Sequence, residues 1–193
     1  MNHYEQNIKH YHMLKPHINN ASLLGMKYIV ILLLTLGFLF DCSAQGNNDT
    51  FTIYLVRHAE KENSFADSPL TPCGEERAES LCGFFRDVPL EAVYSTNYQR
   101  TQNTASPTAS SKGLTVQDYE AHALNELMEE LLRNKKDALV VGHSNTTGVL
   151  AGLLIGSELN DINLSIYNLI YQVVISNEGG RLHILHSSFI CEE

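Results

Sequence analysis

Two apolar runs that each end in a histidine decide the fold of this chain: FTIYLVRH, residues 51–58, and DALVVGH, residues 137–143. Both runs are rich in β-branched or aromatic residues and carry few polar side chains, which is typical of strands buried on both faces. Strands of that kind occur mainly in parallel sheets covered by helices. Arg57, His58 and His143 then lie at the carboxyl ends of two strands, the edge of such a sheet where ligands bind.

The segment that follows the first run carries the signals of a helix. Thr71 is a good N-cap, and Pro72 suits the first helical position. The side chains that recur on one face of this helix are mainly apolar: Ala78, Leu81, Cys82 and Phe85. We therefore expect a helix that begins at Pro72 and ends near Asp87.

The same alternation of strand and helix continues to the C-terminus. The remaining elements expected from these patterns are strands near 92–94 and 114–116, helices over 100–109, 122–134 and 145–155, and a final hairpin of strands near 169–175 and 182–186. The sequence therefore predicts an α/β fold. It is a three-layer α/β/α sandwich whose central sheet is mainly parallel and has an antiparallel edge.

The composition favours one globular domain, over residues 51–193, and argues against one class of function. The chain has 193 residues, of which 44% are hydrophobic and 18% are charged, enough for a single buried core. Its formal net charge of -9 argues against a nucleic-acid partner, because nucleic-acid-binding proteins usually carry a basic face that neutralises phosphates. A phosphate site in this chain must therefore be a local group of cations.

The first 50 residues differ in character from the rest of the chain. Residues 26–44, MKYIVILLLTLGFLFDCSA, have the layout of a signal peptide: a basic residue, an apolar run too short for a typical membrane span, then small residues. Residues 1–25 are either an over-extended gene start or an extended first part of that signal, and 45–50 form a polar linker. We expect cleavage after Ala44 and export to the periplasm or the medium. The alternative is a lipid anchor at Cys42, which would be the only membrane contact expected.

If Cys42 leaves with the signal peptide, three cysteines remain, Cys73, Cys82 and Cys191. An odd number cannot pair completely within one chain, even in an oxidising compartment. The sequence contains no CxxC spacing of the kind that indicates a zinc site. Cys82 is expected to be a small core residue, because it lies on the apolar face of its helix.

Four stretches carry a resemblance to a known family. They are LVRHAEK at 55–61, LTPCGEERA at 70–78, YSTNYQRTQNTA at 94–105 and VVGHSN at 140–145. In this order and at these structural positions they resemble the motifs of the histidine phosphatase superfamily, branch 1. That superfamily includes cofactor-dependent phosphoglycerate mutases and the small phosphohistidine phosphatases, which this domain resembles in size.

The resemblance implies a role for each residue at the strand ends. His58 would become phosphorylated, Arg57 and Arg100 would clamp the phosphate, and His143 would complete the pocket. The backbone of Ser144, at a helix start, would add N–H donors. This set suits the chemistry, because a phosphoryl group in transfer spreads negative charge over three oxygens. Each residue taken singly also fits a structural role, as a buried histidine or a solvated arginine.

The proton donor for the leaving group is less clearly marked. Related phosphatases usually take a carboxylic acid from an insertion between the second arginine motif and the second histidine motif, and here that stretch, 101–142, is short. Glu120 and Glu126 are candidates by position, although Glu126 belongs to a helix whose glutamates fit a solvated face. Glu60 is a candidate beside the nucleophile. The alternative is that no acid is present, as in the small phosphohistidine phosphatases.

These observations predict an exported phosphatase that needs neither metal nor cofactor. It would hydrolyse phosphomonoesters or phosphohistidine through a phosphohistidine intermediate on His58, with a small molecule or a phosphoprotein as its partner. Two alternatives stay open: a phosphotransferase of the phosphoglycerate mutase type, and a catalytically weak phosphate-binding module.

Overall fold

The computed structural model describes residues 50–63, 66–159 and 163–191. The predicted signal peptide at 26–44, the segment 1–25, Cys42 and all of the linker except Thr50 lie outside the described residues. None of the helices in the described ranges has both the length and the apolar character that a membrane span requires.

Six strands and four helices alternate along the described chain. The strands are β1 (Phe51–Arg57), β2 (Ala92–Thr96), β3 (Val116–Tyr119), β4 (Ala138–Gly142), β5 (Leu169–Ser176) and β6 (Gly179–His186). The helices are α1 (Pro72–Phe84), α2 (Gln99–Lys112), α3 (Leu124–Asn134) and α4 (Thr147–Ile155).

The strands form one sheet in the order β3-β2-β4-β1-β5-β6. The first four strands of that order pair in parallel, whereas β5 pairs antiparallel with β1 and β6 pairs antiparallel with β5. The predicted α/β fold, with a mainly parallel sheet and an antiparallel hairpin at its edge, is confirmed. Because β1 and β4 are neighbours, the two apolar runs that predicted the fold lie side by side.

The core is divided into two layers by the sheet. In β1, Ile53 and Leu55 pack among residues of α3 and α4, while Tyr54 and Val56 pack among residues of α1 and α2. Successive side chains of a strand point to opposite faces, so a strand that is apolar at every position supplies both layers. The helices therefore cover both faces, as the predicted sandwich requires.

The first turn of α1 is fixed by its cap and by a close backbone contact. The N–H of Gly74 donates to Oγ1 of Thr71 at 3.0 Å, and the N–H of Thr71 donates to the carbonyl oxygen of Glu60 at 2.9 Å. A Cβ atom at Gly74 would overlap that same carbonyl oxygen. The predicted cap is confirmed, and it holds α1 against the backbone two residues beyond His58.

Several predicted boundaries are wrong by a few residues. The helix expected to end near Ala109 continues through Pro107 to Lys112, where Gly113 adopts a left-handed conformation with φ of 66°. The strand expected at 114–116 is therefore displaced to Val116–Tyr119. Helices α3 and α4 begin two residues later than expected, at Leu124 and Thr147.

Two of the cysteines form a disulfide. Cys73, in the first turn of α1, is bonded to Cys191 beyond the end of β6. The two cysteines are 118 positions apart in sequence, and their Cα atoms are 5.8 Å apart. Cys82 is free and only half-buried, because it lines a cleft between α1 and α2 rather than the core. The expectation that three cysteines cannot all pair is met, whereas the placement of Cys82 in the core is wrong.

Removal of the disulfide should destabilise the fold. We expect Cys191→Ser to lower the free energy of unfolding by about 2–5 kcal/mol, because the unfolded chain regains the freedom that a long cross-linked loop denies it. Urea unfolding of the oxidised proteins measures this difference. Cys82→Ser is the matched control and should change stability far less. Equal stability of the wild type and Cys191→Ser would show that the bond does not form.

Candidate active site

The parallel pairing of β1 with β4 brings two histidines to one edge of the sheet. Arg57 pairs with Gly142 in the register, and the N–H of His58 then donates to the carbonyl oxygen of Gly142 at 2.9 Å. The ring of His58 consequently lies 5.5 Å from the ring of His143, centroid to centroid. Both side chains are buried. The strand ends therefore meet as the sequence predicts.

The hydrogen bond made by His58 selects its tautomer. Nδ1 lies 2.7 Å from the carbonyl oxygen of Ala59. A carbonyl oxygen only accepts hydrogen bonds, so Nδ1 carries the proton and the lone pair of the neutral ring is on Nε2. Nε2 is thus the nitrogen of His58 available as a nucleophile.

The surroundings of His58 keep its ring neutral. The pKa of His58 is lowered from 6.5 to about 3, mainly by burial. The positive charges of Arg57 and Arg100 and the nearby His143 contribute to this shift in the pKa, and the hydrogen bond to Ala59 opposes it. An imidazole that is neutral at pH 7 keeps its lone pair, which a nucleophile requires.

Arg57 is held by the segment that leads into β5. Its guanidinium donates to the carbonyl oxygens of Leu164 at 2.7 Å and Ile166 at 3.3 Å, and to the hydroxyl of Tyr167 at 3.2 Å. It also lies over the ring of Tyr167, 4.0 Å from the centroid. Burial lowers the pKa of Arg57, but an arginine remains charged in proteins. A fixed positive charge therefore lies beside His58.

Arg100, in the first turn of α2, supplies the second guanidinium. It lies over the ring of Tyr98, 4.4 Å from the centroid, and its Nη1 donates to the carbonyl oxygen of Ala66 at 3.3 Å. Asp67 is its nearest carboxylate, at 4.0 Å. In the described part of the chain, the buried Nε atoms of both Arg57 and Arg100 lack a hydrogen-bond partner. Unsatisfied buried donors are rare, and here they suit an anionic ligand.

His143 is oriented by two threonines. Its Nε2 lies 3.0 Å from Oγ1 of Thr96, which donates to Oγ1 of Thr101 at 2.9 Å. Thr101 in turn donates to the carbonyl oxygen of Thr96 at 2.8 Å. Because Thr96 gives its proton to Thr101, Nε2 of His143 is the donor and Nδ1 bears the lone pair. Burial lowers the pKa of His143 to about 4, helped by the charges of Arg100, Arg57 and His122.

These side chains line a cavity of about 300 Å³ at the carboxyl ends of the strands. The residues around it that bear or accept positive charge are Arg57, His58, Lys61, Arg100, His122 and His143. No carboxylate of a described residue belongs to the lining. A larger cleft of about 970 Å³ between α1 and α2 is lined by three glutamates and no basic residue, so it does not suit an anion. The smaller cavity is therefore the candidate site.

Ser144 and Asn145 also line this cavity, just before α4. The N–H groups of Thr146 and Thr147 both donate to the carbonyl oxygen of His143, at 3.1 Å and 3.0 Å. The two residues at 144–145 therefore form a turn rather than the first helical residues that the sequence predicts. Their backbone is nevertheless placed at the cavity, where N–H groups suit phosphate oxygens.

The three glutamates predicted as proton donors are not brought to the cavity. The carboxylate of Glu60 is bound by the guanidinium of Arg77, with contacts of 2.7 Å and 2.8 Å. Glu120 and Glu126 are exposed and do not belong to the lining. The residue that the sequence analysis missed is His122, which lines the cavity from the loop after β3. Its position past the carboxyl end of a parallel strand is the signal that marks it.

Comparison with known proteins points to one family. Residues 53–129 match the family model of the histidine phosphatase superfamily (branch 1). That match includes His58, Arg57 and Arg100. No sequence among the curated proteins matches this chain.

Solved structures share the fold over nearly their whole length. The alpha-ribazole phosphatase from Shigella flexneri has a TM-score of 0.60 at 19% identity, covering 74% of this chain and 100% of that one. The protein histidine phosphatase SixA complexed with tungstate has a TM-score of 0.59 at 16% identity, covering 71% and 97%. A mutant phosphoserine phosphatase from Entamoeba histolytica in complex with phosphoserine has a TM-score of 0.55 at 14% identity, covering 72% and 97%. At these identities the likeness shows the fold.

The neutral histidines predict how stability depends on pH. In the unfolded chain His58 titrates near 6.5, whereas in the fold its pKa is about 3. A depressed folded pKa means that the unfolded state binds more protons below pH 6.5, so stability is lost as the pH falls from about 6.5 towards 3. We expect His58→Gln to flatten this loss, by up to about 1.4 kcal/mol per pH unit.

Urea unfolding of the unliganded protein at pH 7, 6, 5 and 4 measures this slope. His186→Gln is the control, because His186 is exposed on β6 and its replacement should leave the slope unchanged. An identical slope in the wild type and in His58→Gln would mean that His58 is not held neutral.

Proposed function

We propose that this chain, a member of the histidine phosphatase superfamily (branch 1), is an exported, metal-independent phosphatase. It hydrolyses phosphomonoesters or phosphohistidine by way of a phosphoryl group carried on His58. The observation that carries this proposal is the neutral His58, with its lone pair on Nε2, beside two guanidinium groups whose buried Nε atoms have no partner among the described residues.

In the first step, Nε2 of His58 attacks the phosphorus atom of the substrate. The bond between phosphorus and the leaving group breaks, and a bond between phosphorus and Nε2 forms. Arg57 and Arg100 stabilise the charge that spreads over the three phosphoryl oxygens, and they need no rearrangement because their positions are already fixed. The leaving group departs with a proton.

In the second step, water attacks the phosphorus atom of phospho-His58. The bond from phosphorus to Nε2 breaks, the water loses a proton, and inorganic phosphate is released. The lone pair returns to Nε2 while Nδ1 keeps its proton and its bond to the carbonyl oxygen of Ala59. The same tautomer is therefore ready for the next substrate.

The donor set of the cavity supports a reaction that needs no metal. Hard cations such as Mg²⁺ prefer carboxylate oxygens, and the described lining supplies none. Among the described residues, the one group of three potential metal ligands is Glu60, Cys73 and Cys191. Two of its three ligand atoms are joined in the disulfide, and none of the three residues lines the cavity.

The structural neighbours support the substrate class. One is a protein histidine phosphatase solved with tungstate, a tetrahedral oxyanion, and another holds phosphoserine, a phosphomonoester. For this chain we infer either a small phosphomonoester or a phosphoprotein as the substrate. The cationic cavity suits the phosphate group that both have in common.

Two observations support export. Residues 26–44 have the pattern of a signal peptide, and the disulfide between Cys73 and Cys191 fits an oxidising compartment. We infer a periplasmic or secreted protein, with a lipid anchor at Cys42 as the alternative.

A phosphate-binding module is the second candidate function. The lack of a carboxylic acid among the described residues of the cavity favours it, because ester cleavage normally needs a proton donor. Binding of inorganic phosphate without turnover of any phosphate ester would support this alternative over the phosphatase.

Replacement of the nucleophile tests the phosphatase. We expect the wild type to hydrolyse p-nitrophenyl phosphate in the presence of a metal chelator, and His58→Ala to lose at least about 10³-fold in kcat. Rapid quenching without acid should also trap a phosphoryl group on the wild-type protein. This group should be stable to base, and it should be absent from His58→Ala. His186→Ala is the matched control, since His186 is exposed on β6. Full activity of His58→Ala would refute the mechanism.

The geometry of Arg57 predicts that lysine cannot replace it. Arg57→Lys keeps the charge but loses the fork that binds two carbonyl oxygens and the hydroxyl of Tyr167. We expect kcat/KM for p-nitrophenyl phosphate to fall by about 10- to 100-fold. Arg181→Lys, at an exposed position on β6, is the control. Unchanged kinetics in Arg57→Lys would mean that charge alone suffices there.

A further inference from the structure

We propose that His122 is the proton donor for the leaving group, in place of the carboxylic acid that the sequence analysis expected. This inference rests on the proposed phosphatase function and adds a second catalytic histidine to it. The cavity itself carries the argument, since His122 is part of its lining and the candidate glutamates are not.

The chemistry requires a proton at this point of the reaction. When the bond from phosphorus to an alkyl oxygen breaks, the oxygen departs as a strongly basic alkoxide unless a group nearby protonates it. The donor must carry a proton near neutral pH, and it must release that proton readily. Imidazole is the side chain whose ordinary titration range meets both demands.

The other ionisable groups at the cavity are unsuited to this role. His58 is the nucleophile, and His143 is neutral with its pKa lowered to about 4. The ammonium group of Lys61 donates to the carbonyl oxygen of Glu62 at 3.1 Å. Lysine and tyrosine side chains ordinarily hold their protons far more tightly than imidazole does. Tyr98 faces the ring of His143, at 5.2 Å between centroids.

The fold places His122 at the rim of the cavity. It lies in the loop between β3 and α3, where the N–H of Ala123 donates to the carbonyl oxygen of Glu120 at 3.0 Å and closes a turn. The side chain of His122 is exposed and yet belongs to the lining. It is close enough to His143 for its charge to act on that ring. A leaving group directed out of the cavity would therefore meet His122 at the exit.

Fixed positive charges share the cavity with His122. They are Arg57 at the end of β1, Lys61 in the following loop and Arg100 on α2. A phosphate ester bound by these groups lies in the cavity that His122 lines, where a proton donor is needed.

The two steps of the reaction balance with His122 as the proton carrier. In the first, the imidazolium of His122 gives its proton to the leaving oxygen as that oxygen separates from phosphorus. An alcohol, phospho-His58 and a neutral His122 result. In the second, neutral His122 takes a proton from the water that attacks phospho-His58. Hydrogen phosphate leaves, and His122 is again an imidazolium.

Substrates that differ in their leaving group test this role. A nitrophenolate ion leaves without help, whereas the alkoxide of glycerol 2-phosphate does not. In the full-chain protein we expect His122→Gln to lower kcat/KM for glycerol 2-phosphate by about 10²- to 10⁴-fold, and to lower kcat/KM for p-nitrophenyl phosphate much less. The alkaline limb of the pH profile for glycerol 2-phosphate should also disappear.

Two further variants sharpen the test. His122→Glu restores an acid at the same place and should recover part of the activity on glycerol 2-phosphate, with its pH optimum moved to lower pH. His183→Gln, exposed on β6, is the matched control and should leave both substrates unaffected.

Three results would overturn the inference. Equal losses of His122→Gln on both esters would indicate a structural or binding role, and no loss on either would exclude proton donation. A wild type that cleaves only the aryl ester would show that no group protonates the leaving oxygen. A wild type that cleaves neither ester while it binds inorganic phosphate would instead refute the phosphatase function from which this inference starts.

Discussion

The parallel pairing of β1 with β4 is the constraint on which the site depends. The last bond of that pairing, from the N–H of His58 to the carbonyl oxygen of Gly142, carries the ladder one residue past the strand. It fixes the backbone of both histidine segments at one edge, so the rings meet without any help from a flexible loop. Sites held by regular elements are positioned more accurately than sites built from loops alone. The remaining groups are then added around this pair.

The positive charge of the cavity is the second organising feature, and its sign is opposite to that of the net charge of the chain. The formal net charge is -9, yet within the described residues two arginines and a lysine share a cavity that no carboxylate lines. Burial of a guanidinium without an ion pair is costly unless its N–H groups are bound. Carbonyl oxygens and the ring of Tyr167 meet that need for Arg57 without neutralising it, whereas Arg100 also lies 4.0 Å from the exposed carboxylate of Asp67. The positive potential thus remains available to an anion.

The sequence predicts the elements whose residues are buried and misses what depends on distant contacts. The strands that end at Arg57 and Gly142 are apolar at nearly every position, so the sequence alone shows where they end. The edge strand β3 has no fully buried residue and carries no such pattern, so the predicted strand lies too early in the sequence. The pairing of Glu60 with Arg77 depends on the turn of α1, and that of Cys73 with Cys191 on the path of the whole chain. Neither pairing leaves a local signal.

The segment 164–167 and the disulfide bring late parts of the chain to early ones: the segment contacts Arg57, and the disulfide reaches α1. Arg57 obtains its oxygen partners from residues more than a hundred positions later in the sequence. The disulfide from Cys73 to Cys191 likewise joins the first helix to a residue beyond the last strand. A truncation before residue 164 would therefore remove the oxygen partners of Arg57 and the disulfide together, although β1, β2, β3 and β4 would all remain in the chain.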